Sequence, residues 1–490
     1  MSADVDRAMP ANRGLFACYL ALVFWVPIPL GSDRPWSWGL LDIWVFALAS
    51  WWLLAHVRAT LPRAPALIGA RPALLLAGLW LGYVWLQLLP LPPALLRLLS
   101  PEAARWYAAA AWPAAPGSAP LTLDQHATLQ GAINSTAYVA FFALSLVLLD
   151  RPGRIAAAAY TLVASGFAQA MYGSITALSG GPGEVAHGGF VNRNHFAGYL
   201  ELCLSLGLGV LIASLTGEVA RTRRQLLRNV VAWILSPKMH LRLALLVMVV
   251  GLVLSRSRMG NTAFFVSMLA TGAIGLLLSR RATRSMVILL ASLVIIDVFI
   301  VGAYFGVQRV VDRIEQTRIE TERNQVPLAI GVVKDFPVFG SGLGSFYVVF
   351  PRYKDADLAP GFYDEAHNDY VQFAAEAGLV GVTLLGLLVL LSFLAALRAH
   401  RLHSDPLMRG ISFGSMMGII ALMIHSWVDF NLQIPANALT FMLVLAFGWI
   451  SLYHIVPAPA ADAPPQDARQ NESADANTEE QERKDPRVAP

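Results

Sequence analysis

Apolar residues along this chain fall into blocks close to one bilayer crossing in length, separated by polar connections rich in Pro, Gly, Arg and Asp. A helix rises 1.5 Å per residue, so about 20 apolar residues cross the hydrocarbon layer. The blocks predict about twelve spans, roughly residues 14–30, 38–57, 72–91, 131–149, 154–178, 195–216, 241–255, 260–279, 285–307, 373–397, 408–427 and 434–456. The expected fold is an all-α polytopic membrane protein with one large outer loop, residues 308–366. That loop opens with the charged, helix-forming run QRVVDRIEQTRIETERNQ and continues as KDFPVFGSGLGSFYVVFPRY, where Pro and Gly force turns. Residues 92–130, rich in Pro and Ala, form a second outer loop with little chemistry of its own. The organisation is then 1–130, N-terminal helices and outer loop; 131–307, core helices; 308–366, the large loop; 367–456, C-terminal helices; and 457–490, a polar tail too poor in apolar residues to fold.

Charge fixes the orientation. Of 490 residues, 14% are charged and 56% hydrophobic, against about 25% charged in soluble domains. Basic residues concentrate in alternate connections: Arg58, Arg63 and Arg71; Arg151 and Arg154; Arg221 through Arg242; Arg280, Arg281 and Arg284; Arg398, Arg401 and Arg409. These face the cytoplasm by the positive-inside rule, which puts both termini inside and 308–366 outside. The net charge of +4 is accounted for by these loops. No basic stripe with interleaved aromatics suggests nucleic acid as a partner. Cys18 and Cys203 lie inside apolar runs and read as buried small hydrophobes, with no metal spacing. Arg7 and Arg13 precede a first helix that no cleavage site follows, so it is expected to be retained.

The polar residues with chemistry to offer gather at outward helix ends. FVNRNHFAGYLE enters the sixth span with Asn192, Arg193, Asn194 and His195; Glu201 lies on the same helix face as Asn194 and deeper. An intramembrane carboxylate needs a partner, so Glu201 either braces an arginine or takes part in chemistry. LSRSRMGN joins two spans through Arg256 and Arg258. Single interfacial arginines commonly snorkel to lipid phosphate, but three on one face favour an anion site, because guanidinium binds phosphate oxygens in bidentate fashion. AHNDYVQFAAEAGLVG places His367, Asn368 and Asp369 where the large loop meets a span, with Asp364 and Glu365 in the same turn. An imidazole there titrates near neutrality and can accept a proton from a hydroxyl. HSWVDFNLQIPAN adds His425 and Asp429, four apart, whose more economical reading is a structural hydrogen bond beside the site. Asp355 and Asp357 form an Asp-x-Asp triplet of the kind that can hold a metal, though such triplets are common in hydrophilic loops. Gly340, Gly342 and Gly344 lack the strand-to-helix context of a phosphate cradle and read as turn glycines.

His367-Asn368, a nine-residue gap, then Gly378-x-x-Gly381 resembles the signature of the O-antigen ligase and Wzy-type polymerase superfamily. FVNRNHFAGYLE, KDFPVFGSGLGSF and HSWVDFNLQIPAN extend the resemblance over roughly residues 130–450. The resemblance implies a helical GT-C-like fold in the bacterial inner membrane, with the site facing the periplasm. It also implies a transfer of glycan, without metal or other cofactor, from undecaprenyl diphosphate to a sugar hydroxyl. The acceptor would be lipid A-core, a lipid-linked repeat unit or a glycoprotein, with membrane lipids as surroundings. His367 would be the essential histidine, Arg193 the first outer arginine, and Arg256 or Arg258 the second. The family's arginine is often followed three residues later by Leu, and here Gly260 or Thr262 stands there, so both remain candidates. Asn192, Asn194, His195, Glu201, Asn368, Asp369 and Asp429 are the expected substrate-binding set. A transporter is the reading from another class; polar residues at one membrane face and no evident inverted repeat argue against it.

Overall fold

The computed structural model describes residues 10–58, 64–111, 117–181, 183–214, 237–278, 325–355 and 361–454. Its main helices are α1 (Pro10–Trp25), α2 (Pro35–Arg58), α3 (Arg71–Leu86), α4 (Pro93–Leu99), α5 (Pro101–Ala111), α6 (Gln125–Leu148) and α7 (Pro152–Ser179). They continue with α8 (Arg193–Ala213), α9 (Pro237–Leu254), α10 (Arg258–Leu278), α11 (Gln325–Asp335), α12 (Asp369–Leu402), α13 (Pro406–His425) and α14 (Pro435–Tyr453). Among the described residues no strand forms beyond one isolated bridge, Leu91 to Ala119.

Among the described residues, eight helices are long and apolar enough to cross a membrane: α2, α6, α7, α8, α10, α12, α13 and α14. Three shorter apolar helices, Arg13–Trp25, Arg71–Leu86 and Met239–Leu254, stand where three more spans are expected. The expected span at 285–307, the charged stretch before residue 325 and the tail from 457 lie outside the described residues. Polar residues at the block edges start the helices as their chemistry dictates. The side chains of Asp124, Asn192, Asn368 and Asp405 accept hydrogen bonds from backbone N–H groups of the first turns.

α8 and α14 form the centre of the bundle. Their most apolar windows are 89% and 83% buried, against 22% for α2 and 28% for α12, which face outward. α8 crosses α13 with backbones nearly touching: a methyl on Gly414 would sit 2.7 Å from the Ser205 carbonyl oxygen, and Gly209 and Gly410 abut in the same way. Without water to drive helices together in lipid, small residues that permit such approach set the crossing. The α6–α7 turn, the α12–α13 turn and the end of α14 meet on one face, where Asp150, His403 and Asp405 neighbour His454.

The opposite face carries a cap. Residues 92–130, expected as a plain loop, supply α4 and α5. These pack against α11 and the following segment around Leu96, Ala103, Phe336, Phe346 and Phe350. Glu102 binds Arg352 at 2.9 Å, and the Arg352 guanidinium lies over Trp106 at 5.1 Å. The cap is spliced into α12 at a break. Gly378 has φ 60° and ψ −166°, a combination essentially confined to glycine. The segment Pro337–Gly342 fills the gap: Leu379 N donates to Pro337 O at 2.9 Å, Gly342 N to Glu376 O at 2.9 Å, and Ser341 N to Ala375 O at 2.9 Å. The Tyr83 hydroxyl lies 2.6 Å from Phe339 O and 2.8 Å from Ala377 O. Gly340, Gly342 and Gly344 all have positive φ and are turn glycines in this splice.

Candidate active site

Beneath the cap, the outer ends of α8, α10, α12 and α13 converge with the turn between α13 and α14. Glu201, two turns into α8, is fully buried with one carboxylate oxygen 2.7 Å from His425 Nδ1. The sequence left Glu201 either bracing an arginine or reacting; its hydrogen-bond partner is this histidine. His425 and Asp429 lie 4.0 Å apart, while Asp429 approaches His195 Nε2 at 3.4 Å. The two histidines and two carboxylates therefore pair across helices, and the His425–Asp429 spacing on one face is the looser contact. Asp429 sits in the turn. Burial pushes its carboxyl upward, but a hydrogen bond and charge from His195, charge on His425 and the Phe430 N–H outweigh this and hold it at about 2. Asn437 ties this cluster to α8 by donating to His195 O at 3.0 Å. Gly198 is glycine because a Cβ there would lie 2.8 Å from Asn431 Cγ.

His367 stands at the entrance to α12. Asn368 next to it caps the helix, accepting from Val371 N at 3.1 Å and donating to Trp427 O at 2.7 Å. Asp369 accepts from the Ser426 hydroxyl at 2.7 Å and from Leu432 N at 3.1 Å. These bonds bind the start of α12 to the α13–α14 turn. They leave His367 partly exposed at φ 52°, a left-handed conformation uncommon for a residue with a side chain. Its ring meets Phe430 edge-on at 4.8 Å, and His195 meets the same ring at 4.5 Å. Phe430 therefore spans from the buried cluster to His367. The described non-glycine residues with positive φ are Leu30, Ser32, Arg256 and His367. Two of these four belong to the chemically suspect set read from the sequence.

Arg193 and Arg258 are the first residues of α8 and α10, both exposed; Arg256, half-buried, precedes α10 with Nη1 3.5 Å from Gly183 O. α10 is fastened to the site at Gly260, where a Cβ would lie 3.2 Å from Glu201 Oε1. Cations at helix N-termini oppose the local dipole, while an anion there is favoured. Asn192 caps α8 by accepting from Asn194 N at 2.8 Å, so these two asparagines shape the turn that presents Arg193.

Two further acidic residues lie near the site: Asp33, to which no role was read from the sequence, and Glu365, whose place in the His367 turn suggested that it could orient or tune the ring. Asp33, in the α1–α2 turn, lies close enough to feel His195, Arg34 and Asp364, and burial pushes its carboxyl up. Burial, then the charges of Glu376, Asp364, Asp369 and Asp33, raise Glu365 well above the usual carboxylate range. Asp33 sits in a short turn whose sequence, GSDRP, signals nothing but a turn. Phe430 escaped because one aromatic among many apolar residues carries no pattern. Of the Asp-x-Asp triplet, Asp355 is exposed on the cap and Asp357 lies outside the described residues.

Among the described residues these features define a multi-pass, helical membrane protein with a buried histidine–carboxylate cluster below a helical cap and arginines at adjoining helix ends. Residues 243–386 match the O-antigen ligase family model, a stretch that includes Arg256, Arg258, His367 and the Gly378-x-x-Gly381 pair. The similarity to the O-antigen ligase and Wzy-type superfamily, legible in the motifs, is shown over those residues. None of the curated proteins compared with the chain matches it.

Proposed function

We propose that this protein is a twelve-span, GT-C-like glycosyltransferase of the bacterial inner membrane. It takes a glycan from undecaprenyl diphosphate and attaches it to a sugar hydroxyl on the periplasmic face, with both termini in the cytoplasm. The observation that carries this reading is the coincidence of backbone strain with the family match: His367 and Arg256, both inside the matched residues, hold left-handed conformations, and such strain concentrates at functional sites. His367 accepts the proton of the acceptor hydroxyl, a role that contributes about 10²–10⁴-fold. The acceptor oxygen bonds to the anomeric carbon, with inversion. The bond from that carbon to the diphosphate oxygen breaks, and undecaprenyl diphosphate departs with the electron pair. Arg193 with Arg256 or Arg258 neutralises the departing charge; hydrogen bonds to charged groups contribute about 1.5–3 kcal/mol each. Diphosphate is already a good leaving group, so the step needs no metal. Asn368 and Asp369 anchor the histidine, while His195, Glu201 and Asp429 form the fixed floor on which Phe430 rests.

Replacing His367 with Ala removes transfer while leaving expression and detergent behaviour intact; retained transfer removes His367 from the mechanism. The acceptor is read from cells lacking the protein. Lipid A-core without long chains beside free lipid-linked polymer identifies a ligase. Single capped units identify a polymerase, and an altered glycoprotein alone identifies a protein oligosaccharyltransferase.

A further inference from the structure

His367 holds a left-handed backbone, and such strain persists only where the surrounding structure over-determines it. After it in the chain, Asn368 and Asp369 supply that constraint by binding the α13–α14 turn. Ahead of it, the constraint comes through Ala366. This residue is fully buried among the cap's apolar side chains, in the cluster that holds Phe346 and Phe350. Its N–H donates to the side-chain oxygen of Gln372, in the first turn of α12, at 2.7 Å.

Gln372 is itself held. Its amide nitrogen donates to Glu376 Oε1 at 2.8 Å, and the Phe346 N–H donates to that same oxygen at 3.2 Å. Gln372 and Glu376 are four apart, on one face of α12, and each is 1% exposed. Their partners fix the polarity of every link. An N–H at one end obliges the amide oxygen to accept, and an acceptor oxygen at the other obliges the nitrogen to donate. Flipping the amide would set oxygen against oxygen and NH₂ against N–H, so the side chain has one working orientation. A buried network satisfied in this way is stiff. It runs from the Phe346 N–H through Glu376 and Gln372 to the Ala366 N–H, one residue short of His367. A second buried glutamine serves the splice in another way. Gln87 donates to Phe339 O at 2.9 Å and to Glu376 O at 3.2 Å, and accepts from Leu343 N at 3.1 Å. These bonds tie α3 to the splice.

We infer that Gln372 is a positioning residue for His367, with Glu376 keeping it in its working orientation. The inference rests on the transferase reading and deepens it: Gln372 acts through Ala366, fixing the backbone from which the imidazole reaches the acceptor hydroxyl. Phe430 steadies the ring edge-on at 4.8 Å, but a ring contact cannot hold φ. Without the bond to Ala366 the turn relaxes toward ordinary φ and carries the imidazole off its mark. A misplacement of about 1 Å can cost about 10²-fold in rate.

The test treats full-length protein in amphipol with diethyl pyrocarbonate at mildly alkaline pH, where imidazoles are neutral. Carbethoxylation of His367 is followed by peptide mass spectrometry, with exposed His240, at the far end of α9, as internal reference. Gln372→Leu should raise the His367 to His240 rate ratio roughly threefold or more, because the loosened turn exposes the ring. In cells, the surface glycan that depends on this protein should fall about tenfold or more. Should Gln372→Leu fail size exclusion, Gln372→Asn, too short to span both partners, stands in for it. The exchange Gln372→Glu/Glu376→Gln keeps an acceptor toward each N–H and a donor between the two side chains, so it should bring both readouts back toward wild type. Gln87→Leu should lower the melting temperature yet leave the rate ratio unchanged. An unchanged ratio in folded Gln372→Leu overturns the inference. So does a folded exchange variant that restores neither readout, or an equal rise in Gln87→Leu, which would mean general loosening of the splice. If the ratio moves as expected but His367→Ala keeps normal surface glycan, the transferase reading fails and the positioning stands. If His367→Ala abolishes the glycan while Gln372→Leu moves neither readout, the positioning fails alone.

Discussion

Substituting Gly378 with alanine tests whether the break in α12 is built in by one residue. At φ 60° and ψ −166° an L side chain pays about 1–3 kcal/mol in backbone strain. The new methyl would also lie 2.5 Å from Val338 C and 2.6 Å from Gly340 N. These are backbone atoms that cannot rotate away, and such overpacking typically adds about 1–3 kcal/mol. Displacing Val338 weakens the bonds from Leu379 N to Pro337 O and from Val380 N to Val338 O, each contributing about 0.5–1.5 kcal/mol. These contributions add to about 3–9 kcal/mol, a large share of a typical protein's stability. Gly386→Ala in the same helix is the control: nothing lies within 4 Å of a Cβ there, and alanine favours a helix over glycine by about 1 kcal/mol. Thermal unfolding in detergent, followed by fluorescence-detected size exclusion, should show Gly378→Ala melting many degrees lower and Gly386→Ala unchanged or higher. If Gly378→Ala melts with the wild type, the break is not imposed by that glycine and the splice is held by other contacts.

The remaining predictions concern the buried charges. Glu201→Leu or His425→Leu alone each leaves a polar group stranded at zero exposure, a loss of about 3–5 kcal/mol. The double variant Glu201→Leu/His425→Leu should be less destabilised than the two singles added together; strict additivity in a double-mutant cycle would show that the pair does not interact. Glu365 gives a pH dependence. Its carboxyl is raised in the folded protein, so its contribution is fully present below its ordinary value of 4.5 and is lost as pH climbs through the folded value. Glu365→Gln, which keeps the neutral shape, should flatten the fall in melting temperature between mildly acidic and mildly alkaline buffer. An unchanged slope would mean that Glu365 ionises freely.

Much of the architecture was visible in the chain because a bilayer forces helices, and helices of bilayer length write themselves as apolar blocks. The same blocks gave most helix starts to within a few residues, helped by Asn192, Asn368 and Asp405 at their caps. The single-residue break at Gly378 was hidden, since the apolar pattern runs straight through it. So was the cap: α4 and α5 are short helices in a stretch rich in Ala and Pro, and partners of Leu96 and Ala103 such as Phe336, Phe346 and Phe350 lie far along the chain. At the site, His367, Asn368, Asp369 and the three arginines stood out because polar residues at a membrane edge are costly. Their partners did not. That Glu201 pairs with His425 depends on where α8 crosses α13, which Gly209 and Gly410 decide by size, a property no charge or hydropathy pattern displays.

The splice at Gly378 also fastens the cap segment directly into a long apolar helix. Pro337–Gly342 exchanges backbone hydrogen bonds with residues 375–380, so the cap and the second and third turns of α12 share one backbone lattice. Under the proposed function, a glycan pressing on the cap would load the first turns of α12, the helix that His367 precedes.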